Sequence, residues 1–171
     1  LYQEQVEKIK SKENEVTNLI QQIEKVPVPK ISASDYEYFE GIRGIKSMWI
    51  RINELLVPNT EAQYIVGELS TWETLEAFYL EHHKLRARKK IFERMILPAN
   101  AKSEANKRKK IGFFEARFLK EIPPGELGIF SNFVVIQYTN TETPRGFLIK
   151  DKIFTDTFRF YFEQLWKTAK P

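Results

Sequence analysis

The sequence contains no cysteine, and this absence excludes disulfide frameworks, thiolate metal sites and cysteine nucleophiles. It also lacks any apolar run near the roughly 18 residues needed to span a bilayer, and its start shows no signal-peptide pattern. A chain without cysteine is compatible with the reducing cytosol. We therefore expect a cytoplasmic protein that makes no contact with a membrane.

The motifs of several common enzyme classes are missing as well. Gly41 and Gly44 have neither the spacing of a dinucleotide-binding turn nor that of a phosphate-binding loop, and no Gly-x-Ser-x-Gly sequence occurs. The only histidines, His82 and His83, are adjacent and would leave a helix in different directions, so they cannot both face one ion. We expect no catalytic residue, no metal and no cofactor.

One short match to a catalytic motif needs separate treatment. His82-x-Lys84 resembles the beginning of the His-x-Lys-x4-Asp motif of phospholipase-D-like phosphodiesterases, in which the histidine attacks phosphorus. The position of the aspartate is occupied by Lys89, and the pair falls within a predicted helix. The sequence therefore predicts that the chain is not an enzyme.

The composition indicates a folded chain of one ordinary domain with an appendage. It has 171 residues, of which 42% are hydrophobic and 13% aromatic, enough to fill a sizeable core. Lysine and arginine number 27 against 23 acidic residues, a mild excess that permits contact with nucleic acid without requiring it.

The first 26 residues predict an amphipathic helix with an apolar stripe at heptad spacing. The stripe consists of Tyr2, Val6, Ile9, Glu13, Val16, Ile20 and Ile23, and only Glu13 interrupts it. An isolated helix of this length is marginal in water, so the stripe must be covered. A second copy of the chain is the simplest cover, which predicts a coiled-coil homodimer over residues 1–26. The alternative is that the helix packs on its own globular domain.

Pro27 and Pro29 end the helix and mark a boundary before an α/β domain at 30–171. Alternating patterns predict strands near 36–39, 63–68, 90–97, 113–119, 127–130, 133–138 and 145–149. Helical patterns lie between them, near 42–56, 70–85, 101–110 and 151–166. The fold class that follows is α/β, a mixed sheet flanked by helices.

Basic residues are concentrated between positions 82 and 110. They include a possible polyanion-binding patch of Arg86, Arg88, Lys107, Arg108, Lys109 and Lys110. Such a density of positive charge can neutralise phosphates. The alternative interpretation is an ordinary solvated surface, because cations near the end of a helix also stabilise its C-terminus.

Four segments resemble the effector half of the archaeal TrmB-type transcriptional regulators. They are the opening Tyr38–Ile45, the strand Ala62–Gly67, the hairpin Phe130–Ile136 and the closing aromatic helix Tyr161–Trp166. The resemblance implies a phospholipase-D-like, non-catalytic fold that follows a winged helix-turn-helix and a dimerising coiled coil. Some members of the family carry a further sugar-binding domain that is absent here, so a sugar ligand cannot be transferred.

The resemblance also implies a small-molecule effector of unknown identity. Because pockets in open α/β sheets lie beyond the carboxyl ends of strands, candidate liners are Glu68, Ser70, Asn100 and Lys120. Ser70 with Glu73 also forms a capping box at a helix start. Arg117 alternates with the apolar face of its strand and points either to solvent or into a pocket.

The expected partners are a second copy of the chain, the effector, and DNA bound through a domain that this sequence does not contain. Two other functions remain open at this point. The domain could be an interaction module without a ligand, or it could bind nucleic acid itself through the basic residues.

Overall fold

The computed structural model describes residues 2–25, 36–67 and 69–171, with side chains throughout these ranges except at residues 2, 19, 21–25 and 70–74. The chain divides into two compact units, Leu1–Ala33 and Ser34–Pro171. The boundary predicted at Pro27 and Pro29 lies outside the described residues.

The first unit contains a single described helix, α1 (Tyr2–Lys25), of 24 residues. Val6, Ile9, Val16 and Ile20 are exposed by 36, 59, 54 and 51%. The predicted stripe therefore remains a solvent-facing apolar surface along this helix. Of the other predicted stripe residues, Tyr2 and Ile23 have side chains outside the described set.

The second unit contains, over its described residues, a seven-stranded sheet in the order β1-β7-β6-β5-β2-β3-β4. The strands are β1 (Tyr36–Glu40), β2 (Glu61–Val66), β3 (Phe92–Pro98), β4 (Phe114–Leu119), β5 (Glu126–Ile129), β6 (Val134–Tyr138) and β7 (Arg145–Ile149). Strands β2, β3 and β4 are parallel, and the remaining pairs are antiparallel. The predicted mixed sheet is confirmed.

Helices cover both faces of this sheet. The helices α2 (Gly41–Leu55), α3 (Ser70–Arg88) and α4 (Lys102–Lys109) cover one face, where Ile45, Met48 and Tyr79 join the main core. Helix α5 (Lys152–Thr168) covers the other face with Phe162 and Trp166, which belong to a separate cluster with Ile96 and Ile129.

Local sequence signals account for several element ends. Asp151 is the N-cap of α5, and its carboxylate accepts a hydrogen bond of 2.9 Å from the backbone nitrogen of Phe154. The predicted hairpin is formed by β5 and β6, and Ile129 lies opposite Val134. The side chains of the predicted capping box, Ser70 and Glu73, lie outside the described set.

Gly67 ends β2 at a point of close backbone approach. A Cβ atom at this position would lie 2.0 Å from the carbonyl oxygen of Pro123, so only glycine fits. The Gly67 nitrogen donates to the Gly125 oxygen at 3.0 Å. The loop of Pro123, Pro124 and Gly125 is thereby held against the carboxyl end of β2.

Candidate functional site

His82 and Lys84, the two residues of the phosphodiesterase-like match, do not converge. His82 is 1% exposed and lies in the interior between α3 and the sheet. Lys84 is exposed and donates to Glu81 one helical turn earlier at 2.6 Å. A histidine and a lysine that face opposite environments cannot hold one phosphate between them.

His82 belongs to a buried polar group. Its Nε2 lies 3.1 Å from the hydroxyl of Tyr64, and its Nδ1 lies 2.5 Å from Oδ1 of Asn53. The amide oxygen can only accept, so Nδ1 carries the proton and Nε2 accepts from tyrosine. Burial, helped by neighbouring His83, lowers the pKa of His82 to about 3. The ring is therefore neutral.

His83 lies in a second buried group that contains an ion pair. Its Nδ1 is 2.9 Å from Oε2 of Glu93, and its Nε2 accepts from Nε of Arg108 at 3.0 Å. Burial lowers the pKa of His83 against the opposing charge of Glu93. Both nitrogens of each histidine are thus engaged within the protein, and neither ring is placed as a nucleophile or a metal ligand.

Glu93 and Arg86 form the centre of this second group. Both side chains are wholly buried, and Arg86 Nε contacts Oε2 of Glu93. Burial opposes ionisation of Glu93, but its interaction and hydrogen bond with His83 and the charge of Arg86 outweigh burial and lower its pKa to about 2. The described residues contain no cluster of three or more histidine or carboxylate side chains suited to a metal ion.

Arg86 and Arg108 were predicted as members of a surface polyanion patch, and that prediction is wrong for both. Each is fully buried. Arg108 donates to the backbone oxygen and the carboxylate of Glu104 at 3.0 and 3.1 Å, besides His83. Their helical faces point toward the sheet, so their charge is compensated inside the molecule and cannot reach a polyanion.

The Arg86 guanidinium also joins two turns at the amino ends of the parallel strands. It donates to the oxygens of Ile91 and Phe113 at 2.6 and 2.7 Å, and to that of Gly112 at 3.2 Å. A third turn is attached by the bond from Asn59 nitrogen to Lys89 oxygen at 3.0 Å. Each of the three turns contains a non-glycine residue in the left-handed region, at Asn59, Lys90 and Phe113.

These turns present what we name the amino-end surface: Arg88, Lys90, Phe92, Lys109, Lys110 and Phe113. All six side chains are exposed, Phe92 by 39% and Phe113 by 47%. Within the described ranges, its four cations have no carboxylate in ion-pair contact. Lys107, also in the predicted patch, is instead paired with Glu76 and Glu104 at 2.6 and 2.8 Å.

Of the predicted ligand-binding residues, the structure describes the side chains of Asn100, Arg117 and Lys120. Asn100 and Lys120 are exposed and follow neighbouring strands β3 and β4, as expected. Arg117 instead packs over the Trp166 ring at 4.6 Å and donates to the Trp166 oxygen at 2.8 Å, so it attaches β4 to α5. Glu68 and the Ser70 side chain lie outside the described residues.

A cleft does lie at the carboxyl end of β2. Its volume is about 230 Å³, and its wall is mostly apolar, formed by Ile65, Pro123, Leu127, Ile136 and Phe158 with Tyr138 at the edge. Sequence reasoning placed a pocket at this end of the sheet but named other residues. The Pro123-Pro124-Gly125 sequence was the available signal for the wall.

The fold defined by this sheet and its helices is that of phospholipase-D-like proteins. NucT from Helicobacter pylori matches with a TM-score of 0.59 and 8% identity, covering 79% of this chain and 98% of NucT. Nuc from Salmonella typhimurium, a phospholipase D family member, matches at 0.53 and 7%, covering 79% of this chain and 95% of Nuc.

A further match is TrmBL2, described as an archaeal chromatin protein with a novel mode of DNA binding, at a TM-score of 0.59 and 18% identity. This match covers 99% of the present chain and 64% of TrmBL2, so the chain spans less than two thirds of that protein. No protein-family model and no curated protein sequence matches the chain. At these identities the likeness establishes the fold. Over the described part of the chain, no helix is long and apolar enough to cross a bilayer.

Proposed function

We propose that this chain is the dimerising, non-catalytic part of a DNA-binding regulatory protein whose DNA-reading domain lies outside the sequence. The observation that carries the proposal is the extent of the likeness to TrmBL2. This likeness covers 99% of the chain, whereas the matches to NucT and Nuc each cover 79% of it. The common element is therefore an α/β unit of this fold together with a preceding helix.

The non-catalytic part of the proposal is supported by the state of His82. Its two ring nitrogens are both engaged, its pKa is lowered to about 3, and its nearest motif partner, Lys84, lies on the solvent side of α3. A nucleophilic histidine needs an accessible nitrogen beside the phosphate. Incubation with a chromogenic phosphodiester should give no turnover. Turnover that disappears in a His82→Ala chain would contradict this assignment.

The second part of the proposal is that the chain dimerises through α1. Val6, Ile9, Val16 and Ile20 follow one another at steps of three, seven and four residues and are all exposed along a 24-residue helix. A helix of this length gains most of its stability from burial of such a stripe. Two copies packed side by side would bury the stripe and fix the distance between two DNA-reading domains, which must match half-sites about one helical turn apart.

The effector binds in the cleft at the carboxyl end of β2. Its mostly apolar wall and its volume of about 230 Å³ suit a small apolar molecule. A ligand that binds one arrangement of the dimer better than another shifts the population toward that arrangement. The signal then passes along α1 to the DNA-reading domains.

Sedimentation equilibrium of three versions of the chain tests the dimer. The unmodified chain should have twice the single-chain mass of 20.2 kDa. Ile20→Asp places a charge in the stripe and should return the mass to that of one chain. Asn18→Asp adds the same charge two residues away, on the face opposite the stripe, and should leave the dimer intact. A monomeric unmodified chain at high concentration would overturn the proposal.

A further inference from the structure

We propose that the amino-end surface binds the phosphodiester backbone of nucleic acid directly, in addition to any contact made by a separate DNA-reading domain. The surface lies entirely within the α/β unit. It is at the amino ends of the parallel strands, whereas the effector cleft is at the carboxyl end of β2. The surface consists of four exposed cations, Arg88, Lys90, Lys109 and Lys110, around two exposed phenylalanines.

The four cations are surplus to the needs of the fold. Helices α2, α3 and α4 end near the amino ends of the parallel strands, and the carbonyl groups in their last turns attract positive charge. Several of those groups already have other partners. Lys89 donates to the oxygens of Asn53 and Leu56 at the end of α2 at 3.1 and 3.2 Å. Backbone nitrogens of the following turns donate to the oxygens of Arg86 and Ala87 at the end of α3, and to those of Arg108 and Lys109 at the end of α4.

Two exposed phenylalanines lie among these cations. Phe92 and Phe113 directly precede Glu93 and Phe114, which are partners in the parallel register of β3 and β4. The backbone positions of the two phenylalanines are therefore adjacent at the strand starts. Exposed rings between lysines and arginines form the platform on which single-stranded bases stack while the backbone meets the cations.

The backbone of this surface is held in place before any partner arrives. The Arg86 guanidinium holds the turns before β3 and β4 at fixed separation, and Lys90 and Phe113 keep positive φ values of 54 and 52° within them. A bulky residue such as phenylalanine rarely adopts this conformation. Because the backbone that carries the four cations is already fixed, binding orders only their side chains and does not also have to order a loop.

The experiment measures fluorescence anisotropy of a labelled 20-nucleotide oligothymidine and of a labelled 20-base-pair duplex, titrated with the chain at several salt concentrations. The quadruple variant R88Q/K90Q/K109Q/K110Q should bind oligothymidine at least about tenfold more weakly at low salt. Its dependence of log affinity on log salt should be shallower by about 3, since each phosphate contact on a single strand contributes about 0.7.

The matched control removes one arginine and three lysines that are exposed elsewhere on the α/β unit: R43Q/K46Q/K152Q/K167Q. It should keep the affinity within about twofold to threefold and lose little of the salt dependence. Equal losses in the two quadruple variants would show that only net charge matters and would overturn the proposal. Absence of binding by the unmodified chain at low salt would overturn it too.

The aromatic contribution is measured with Phe92→Leu and Phe113→Leu, which keep an apolar side chain and remove the ring. Each should weaken oligothymidine binding by about fivefold or more and change duplex binding little, because stacking requires unpaired bases. An unchanged affinity for oligothymidine in both variants would overturn the stacking. Repeating the titrations in the Ile20→Asp chain separates this proposal from the dimer, because a monomer should still distinguish the two quadruple variants.

Discussion

Arg86 and Arg88 are two residues apart in α3, yet they occupy opposite environments. The first is fully buried against Glu93, and the second is exposed on the amino-end surface. Arg108 and Lys109 repeat the contrast at the end of α4. The basic stretch between positions 82 and 110 therefore divides into two sets of cations. An inner set of cations holds the fold together, and an outer set is free to meet a partner.

Clustering of charge along the sequence therefore does not define a surface. Helical periodicity decides which member of a basic run faces the sheet. Once inside, an arginine is retained by carboxylates, carbonyls and a neutral histidine. The two sets should consequently respond to substitution in different ways, and the following measurements test that separation.

The largest effect is expected from Arg86→Met compared with Arg88→Met. The first change leaves the Glu93 carboxylate buried with one partner fewer and strips the carbonyls of Ile91, Gly112 and Phe113 of a donor. It should lower the free energy of unfolding by about 3–5 kcal/mol. The second should change it by less than about 0.5 kcal/mol. Urea unfolding followed by circular dichroism measures both, and similar losses would refute the division.

The next effect is expected from Glu93→Gln, with Glu115→Gln on the neighbouring strand as its control. The amide keeps the shape of the side chain but leaves the Arg86 charge uncompensated in the interior. The expected cost is about 2–3 kcal/mol, against less than about 0.5 kcal/mol for exposed Glu115. A Glu93→Gln chain as stable as the unmodified one would mean that the buried ion pair is not ionised.

Acidification should destabilise the fold before any carboxylate titrates. Burial lowers the pKa of His82 to about 3 and also lowers that of His83, whereas both titrate near 6.5 in the unfolded chain. Below about pH 6.5 the unfolded state therefore binds more protons than the folded state. The free energy of unfolding consequently decreases as the pH is lowered. The slope should reach at most about 1.4 kcal/mol per pH unit for each histidine.

Urea unfolding at several values between about pH 7.5 and 5.5 measures this slope, since the carboxylates stay ionised in both states over that range. His82→Gln should reduce this slope by the contribution of one histidine to the pH dependence of the free energy of unfolding. A stability that is constant over this interval, or that rises as pH falls, would contradict neutral buried histidines.

The smallest effect is expected from Arg117, which stands between the two sets. It is partly exposed, packs over Trp166 at 4.6 Å and donates to one carbonyl. Arg117→Met should cost about 1–2 kcal/mol, because it removes a cation–π contact and a hydrogen bond but leaves no buried charge. Thermal unfolding would check this. A loss as large as that of Arg86→Met would place Arg117 in the inner set.

Much of the fold could be predicted because its signals are local. Alternation placed the strands, and a helical pattern near 151–166 placed α5, which Asp151 caps. The mixed topology followed from the order of the elements. The pairing of β1 with β7 at the far edge of the sheet was not predictable, because nothing local joins residues more than a hundred positions apart.

The inner polar groups were missed although a signal for them existed. Leu75, Tyr79, His82 and Arg86 follow one another at steps of four, three and four, which continues the buried stripe of α3. Glu93 shares the parity of Met95 and Leu97 on β3. A histidine, an arginine and a glutamate at core positions of neighbouring elements are expected to pair. Their individual partners depend on how α3 and α4 pack, which the periodicity does not specify.

The hydrogen bonds from Arg86 to the turns before β3 and β4 determine which positions of those turns can accept other side chains. They are made to main-chain oxygens, which every amino acid provides, so the side chains that those turns display can change without disturbing the anchor. Lysine, arginine or glutamine could succeed one another at positions 88, 90, 109 and 110 while the scaffold beneath them stays the same. The molecule thus separates the fixed backbone of these turns from the side chains that they carry, and its surface charge can change one position at a time while the scaffold stays intact.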